Sequence, residues 1–209
     1  PHPSGAANRG RRTRNSVHDK ATGAPLSTVS IDTFWSATGA TGSFDPRVVY
    51  DPYNDRWIVA AVSNAQTANS SVLVGVSQTS VPQGSYSLFR FIVGCAGGTA
   101  GCNAVGEWAD FPMLGFNKNW VAVSWNQFTI NANAFIGGKV LAFDYPTLRT
   151  GMANASLFSG GEFCLSPATT FSATEDTLHF VNHIGSADAS FPLSTMTGTP
   201  AAPRITPRA

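Results

Sequence analysis

The chain is short of charge. Of its 209 residues only 12% are Asp, Glu, Lys or Arg, against about 25% in an ordinary globular domain, and only Lys20, Lys118 and Lys139 are lysines. It also lacks long apolar runs. No stretch approaches the roughly eighteen uninterrupted apolar residues that a bilayer-spanning helix needs, so such a helix is excluded. No G-x-S-x-G elbow, phosphate-cradling P-loop or dinucleotide fingerprint occurs, which removes three common enzyme classes. The three cysteines have neither the paired spacing of zinc sites nor the Gly-His context of thiol enzymes. What is present is a 43% apolar chain with 20 Gly and 13 Pro. That is enough for one sizeable core, too interrupted for a helical bundle, and without the G-X-Y period of collagen.

The net charge of +1 hides an asymmetry, because Arg9, Arg11, Arg12, Arg14 and Lys20 fall in the first twenty residues beside one acid, Asp19. The remainder carries eight bases and eleven acids. A mildly acidic body has no basic face for many phosphate contacts, so nucleic acid is not an expected partner. Residues 1–16 read as a solvated basic arm.

Abundant Ser, Thr, Asn and Gly with few lysines read as an exported protein. Cys95 and Cys102 bracket a loop of small residues, CAGGTAGC, that allows the sulfurs to meet, so a disulfide is expected there. Cys164 has no evident mate. Positions 1 to 25 hold no apolar stretch of the signal-peptide kind, as expected of a mature chain or a piece of a longer polypeptide.

Short runs rich in β-branched and aromatic residues, among them Trp57–Val62, Val72–Val76, Leu88–Val93, Trp120–Trp125 and Lys139–Phe143, alternate with turn formers such as Asp51-Pro52-Tyr53-Asn54-Asp55 and Asn117-Lys118-Asn119. These are strands joined by hairpins. Ser172 to His183 fits either a capped helix or a hairpin turning at Glu175-Asp176. Comparison within the chain favours the hairpin. Phe44–Tyr50 and Trp57–Val59 align under Ala109–Gly115 and Trp120–Ala122, with Asp45 matched to Asp110 and Trp57 to Trp120. A third copy runs through Leu165–Ala168 and Leu178–Phe180. An all-β repeat near sixty residues implies β-propeller blades, each a four-stranded antiparallel sheet. The expected organisation is the arm 1–16, the remnant of a preceding blade at 17–43, blades at 44–106 and 107–162, and a blade with a C-terminal tail at 163–209. Three blades are fewer than a closed propeller uses, so further blades from missing sequence or self-association are expected to complete it.

The strings FDPRVVYDPYNDRWIVAAV, VLVGVSQTSVPQGSYSLF, WADFPMLGFNKNWVAVSWNQF and KVLAFDYPTL resemble large exported bacterial proteins with a sialidase-like or generic β-propeller domain. The likeness spans roughly residues 17 to 205 and implies an extracellular six- or seven-bladed propeller. The Ser-x-Asp-x-Gly-x-Thr-Trp box of sialidases is absent.

Candidate chemistry is thin. Asp45, Asp51 and Asp55 offer hard oxygen ligands for calcium, although the same turn in the next repeat carries Lys118. No cofactor is otherwise expected. Glu107 and Asp110 flank Trp108, a carboxylate pair with an aromatic platform of the kind glycoside hydrolysis uses. His179 and His183 stand four apart, but on a strand about 13 Å separates them. Trp57 and Trp120 recur and are expected in the core. Trp35, Trp108 and Trp125 do not, and are the candidate sugar-stacking or protein-binding surface. The expected function is an extracellular recognition or scaffold module for polysaccharide or protein. Two alternatives stand beside it: a glycan hydrolase or lyase using Glu107 and Asp110, and a structural subunit of an extracellular assembly.

Overall fold

The computed structural model of the protein describes residues 14–182 and 191–208. Most of the basic arm and His183 lie outside the described residues. The chain is all-β, and residues 14–16 belong to its first strand. β1 (Arg14–His18) and β2 (Pro25–Ser30) form an antiparallel hairpin. Its turn is shaped by the Asp19 carboxylate, which accepts the amides of Ala21 and Thr22. Within the 17–43 segment expected to be a blade remnant, Ile31 opens α1 (Ile31–Trp35), because the Ser30 hydroxyl caps the helix by accepting the Thr33 amide at 3.0 Å.

Three four-stranded antiparallel sheets follow, each a meander in chain order. The first holds β3 (Phe44–Asp51), β4 (Arg56–Ser63), β5 (Ser71–Ser77) and β6 (Tyr86–Ile92). The second holds β7 (Glu107–Phe116), β8 (Trp120–Thr129), β9 (Phe135–Asp144) and β10 (Ala155–Gly161), with α2 (Tyr145–Leu148) between the last two. The third holds β11 (Ser166–Pro167), β12 (Leu178–Val181), β13 (Leu193–Thr199) and β14 (Ala202–Arg208). In the ambiguous segment the hairpin prevails. Ser172 accepts the Glu175 amide as a cap would, but Glu175 turns its carboxylate onto the Thr177 amide and the chain returns as β12.

The sheets stack face to face, and alternation along each strand divides its residues between two cores. Ile58, Ala60, Val62, Val72 and Val74 of the first sheet pack against Val121, Val123, Trp125, Leu141 and Phe143 of the second, with Tyr145 and Leu148 of α2 completing that layer. Trp120, Ala122, Val140 and Ala142 on the second sheet's other face meet Leu178, Phe180 and Met196 of the third. The first strands run beside one another. β7 lies against β3 and β11 against β7, and the Phe116 carbonyl and amide bond Thr170 and Ala168. Gly115 permits this approach, since a Cβ there would strike the carbonyl oxygens of Pro167 and Ala168.

Each first strand has a residue of left-handed backbone within it or just before it: Asp45 (φ 49°) in β3, Phe111 (φ 53°) in β7 and Cys164 (φ 57°) two residues ahead of β11. In β3 and β7 that residue lies inside a bulge, between Phe44 and Arg47 and between Asp110 and Met113. Counting from these bulges corrects the repeat by one residue. Asp45 corresponds to Phe111, not Asp110. The Tyr50–Trp57 pair then corresponds to Phe116–Val121, so Trp57 matches Val121, not Trp120. The slip is the same on both sides of the turn: matching Asp with Asp and Trp with Trp displaces each strand by one, and the turns differ by two residues in either alignment. Asp51 and Asn117 occupy one position, but four residues separate Asp51 from its partner Arg56 and only two separate Asn117 from Trp120. A one-residue shift exchanges the two faces of a strand. Trp120 is accordingly fully buried, while Trp57 is half-buried on the face turned away from the second sheet.

Candidate functional site

The acids proposed for chemistry are committed to the fold. Glu107 and Asp110 lie three residues apart on β7, hence on opposite faces and about 10 Å apart along the strand. The pair therefore cannot act together on one glycosidic bond. Glu107 accepts the Asn103 amide at 2.9 Å, the Gln127 side-chain amide at 3.1 Å and the Lys139 ammonium at 3.1 Å. Burial pushes its carboxyl up, but Lys139, Asn103 and Gln127 outweigh that and hold it below the ordinary carboxylate range. With its backbone bonded twice to Cys95, it anchors the loop closed by the Cys95–Cys102 disulfide. Asp110 is pushed the other way. Burial raises its carboxyl, the Phe111 amide opposes this in part, and the nearby Asp45 charge adds to the rise.

The calcium candidates do not converge. Asp45 heads β3 and Asp51 ends it, about 20 Å away at roughly 3.3 Å per residue. Asp51 is buried, and its carboxylate already accepts the amides of Tyr53 and Asn54, the Asn54 side chain and the Tyr145 hydroxyl. Asp55 accepts the Tyr50 hydroxyl at 2.7 Å. Asp51 is thus a turn-forming residue, as Asn117 is in the second sheet, where its oxygen accepts the amides of Asn119 and Trp120. Among the described residues only Cys95, Cys102 and Glu107 bring three possible ligand atoms together, and there the sulfurs are already joined.

The tryptophans proposed for the surface are core residues. Trp35, Trp108 and Trp125 are 1%, 5% and 1% exposed. Trp125 lies opposite the β7 bulge, where the first sheet has the small Ala61. Trp35, carried by α1, packs with Ala61 and Leu73 on that face instead. Trp108 rests against Phe128 and donates its indole N–H to Asn133. Lack of recurrence in the repeat therefore marked individual packing solutions, not exposure.

The open concave feature lies elsewhere. A groove of about 760 Å³ separates the β1–β2 hairpin from the outer face of the first sheet. Tyr50 and Trp57 form a tilted pair with centroids 4.8 Å apart, and the Trp57 indole is fixed by donating to the Ser80 carbonyl at 2.9 Å. Phe34 of α1 and Tyr86 of β6 meet edge to face at 5.1 Å, and all four rings line the groove. Burial pushes the Tyr86 hydroxyl up to about 12, so it stays protonated at neutral pH. Tyr50 is likewise raised, first by its bond to Asp55. Sequence reasoning missed this site because Trp57 had been assigned to the core through the shifted repeat. The signal available was Tyr50, seven residues before Trp57 and directly across the Asp51 turn from it.

No family model, curated protein or solved structure matches the chain.

Proposed function

We propose that the protein is a non-catalytic extracellular recognition module of β-propeller type that binds polysaccharide in the groove beneath the β1–β2 hairpin. The groove carries this reading: it presents four aromatic rings, two of them held at fixed tilt, in a cavity of about 760 Å³. Aromatic faces offer rigid apolar area to the C–H faces of sugar rings, and the Asn15, Ser16 and Gln83 side chains along the same walls suit hydroxyl groups. Three stacked four-stranded meanders with neighbouring first strands support the propeller, whose blades radiate in this way from an axis. The disulfide fits an oxidising compartment.

The test is affinity electrophoresis of the full chain through gels containing xylan, hydroxyethyl cellulose, polygalacturonate or alginate. At least one polymer should retard the protein, Trp57→Ala and Tyr50→Ala should each abolish the retardation, and Glu107→Gln should leave it intact. Unchanged retardation of both aromatic variants refutes the site. Release of reducing ends that Glu107→Gln abolishes restores the hydrolase.

A second reading, a structural subunit, is favoured by one observation. On the outer face of the third sheet Val181 and Leu193 are 38% and 42% exposed, at positions corresponding to the covered Ala60 and Val74 of the first sheet. Assembly through that face requires a mass above the monomer in solution, and a monomer at high concentration excludes it.

A further inference from the structure

The charge around the groove narrows the ligand. Arg14, His18 and Lys20 line its hairpin wall, whereas no Asp or Glu is among its described lining residues. This is unusual for the molecule. Outside the first twenty residues acids outnumber bases eleven to eight, yet the groove's hairpin wall carries two permanent cations, one from the first strand and one from the hairpin turn. Neighbouring carboxylates keep their charge but turn it onto donors of their own segments. Asp19 is tied to three donors within its own turn, Asp32 accepts the Ser43 amide at 2.7 Å, and Asp55 accepts the Tyr50 hydroxyl. Arg14 and Lys20 are not in ion pairs among the described residues, whereas Arg47 turns to the other face of β3 and stacks over Phe111 at 5.4 Å. Cations held on one wall of a low-charge cleft, facing the aromatic wall, raise the local concentration of anions.

We infer that the ligand is an acidic polysaccharide, a uronate polymer whose sugar rings lie against Tyr50 and Trp57 while its carboxylates meet Arg14 and Lys20 on the opposite, hairpin wall. This rests on the polysaccharide reading and specifies its substrate class. A neutral glycan uses the rings but not the cations. An acidic peptide uses the cations but lacks flat C–H faces at the spacing of successive sugars.

The test compares polygalacturonate and alginate with the methyl ester of polygalacturonate, which keeps the ring and removes the charge, and with poly-glutamate. Retardation by a uronate polymer should exceed that by the ester about tenfold in apparent Kd, as expected for two solvent-accessible charge contacts. The gap should shrink as salt shortens the screening length. The double variant Arg14→Gln/Lys20→Gln alters two exposed side chains and should close most of that gap while leaving ester binding unchanged. Equal binding of acid and ester overturns the anionic assignment and leaves polysaccharide recognition standing. Binding to poly-glutamate but to neither uronate polymer overturns the saccharide assignment. Failure to bind either uronate polymer overturns the inference, and the neutral polymers then decide the reading beneath it.

Discussion

Replacing Glu107 with Gln removes a negative charge while keeping the side chain's shape, and so isolates what that charge does. In the folded protein three donors converge on the carboxylate: the Asn103 amide, the Gln127 side chain and the Lys139 ammonium. Lys139 and Gln127 share one carboxylate oxygen and Asn103 uses the other, so glutamine, with one acceptor oxygen and one NH₂, strands either the Asn103 amide or the Lys139 and Gln127 donors, and keeps no charge for Lys139. Hydrogen bonds to a charged group contribute about 1.5–3 kcal/mol each. Lys139 keeps 24% of its side chain exposed and regains some water, so the expected loss is about 2 kcal/mol, or a fall in Tm of roughly 4–8 °C for a chain of this size. The pH dependence has a definite sign. Because the folded-state carboxyl lies below its ordinary range, its stabilisation is complete above the unfolded carboxyl's titration and is lost as pH falls through the folded value. Urea melts should therefore show the full gap between wild type and variant at neutral pH and a closing gap in acid. Lys139→Met should be costly alone and less costly in the Glu107→Gln background. A gap below about 0.5 kcal/mol at neutral pH, or one that persists unchanged in acid, refutes the account of Glu107 as an anchor for the disulfide loop.

Three further outcomes follow from the packing. Trp125→Ala empties the layer between the first and second sheets and should cost about 3–5 kcal/mol, read from the urea midpoint, whereas a surface tryptophan would cost little. Tyr145→Phe leaves the buried Asp51 short of one donor and should cost about 1.5–3 kcal/mol by thermal melting. Burial first, then Asp51 itself, pushes the Tyr145 hydroxyl far up, so wild type should hold this bond throughout the neutral range. Gly115→Ala drives a methyl group into the carbonyls of Pro167 and Ala168. It should loosen the third sheet selectively, seen as faster hydrogen exchange in β12 and β13 with β4 and β5 unaffected.

The sequence by itself determined the strands, the hairpins and the existence of a repeat, because these depend on local chemistry. Runs such as Val72–Val76 and Trp120–Trp125 favour a pleated backbone, and Asp51 and Asn117 shape turns with their own side chains. Cys95 and Cys102 were legible for the same reason, being only seven residues apart. Which face each residue presents was not legible. Face depends on register, and the like residues Asp45/Asp110 and Trp57/Trp120 invite an alignment one residue away from the one the ladders set, in which the bulges at Asp45 and Phe111 coincide. That shift placed Trp57 in the core and Asp110 opposite Asp45 when the ladder does neither. The groove was decided by tertiary structure alone. Its aromatic and basic residues come from the hairpin, α1, β3, β4 and β6, and only the packing of one hairpin over one sheet face turns groups scattered between Arg14 and Tyr86 into a single surface.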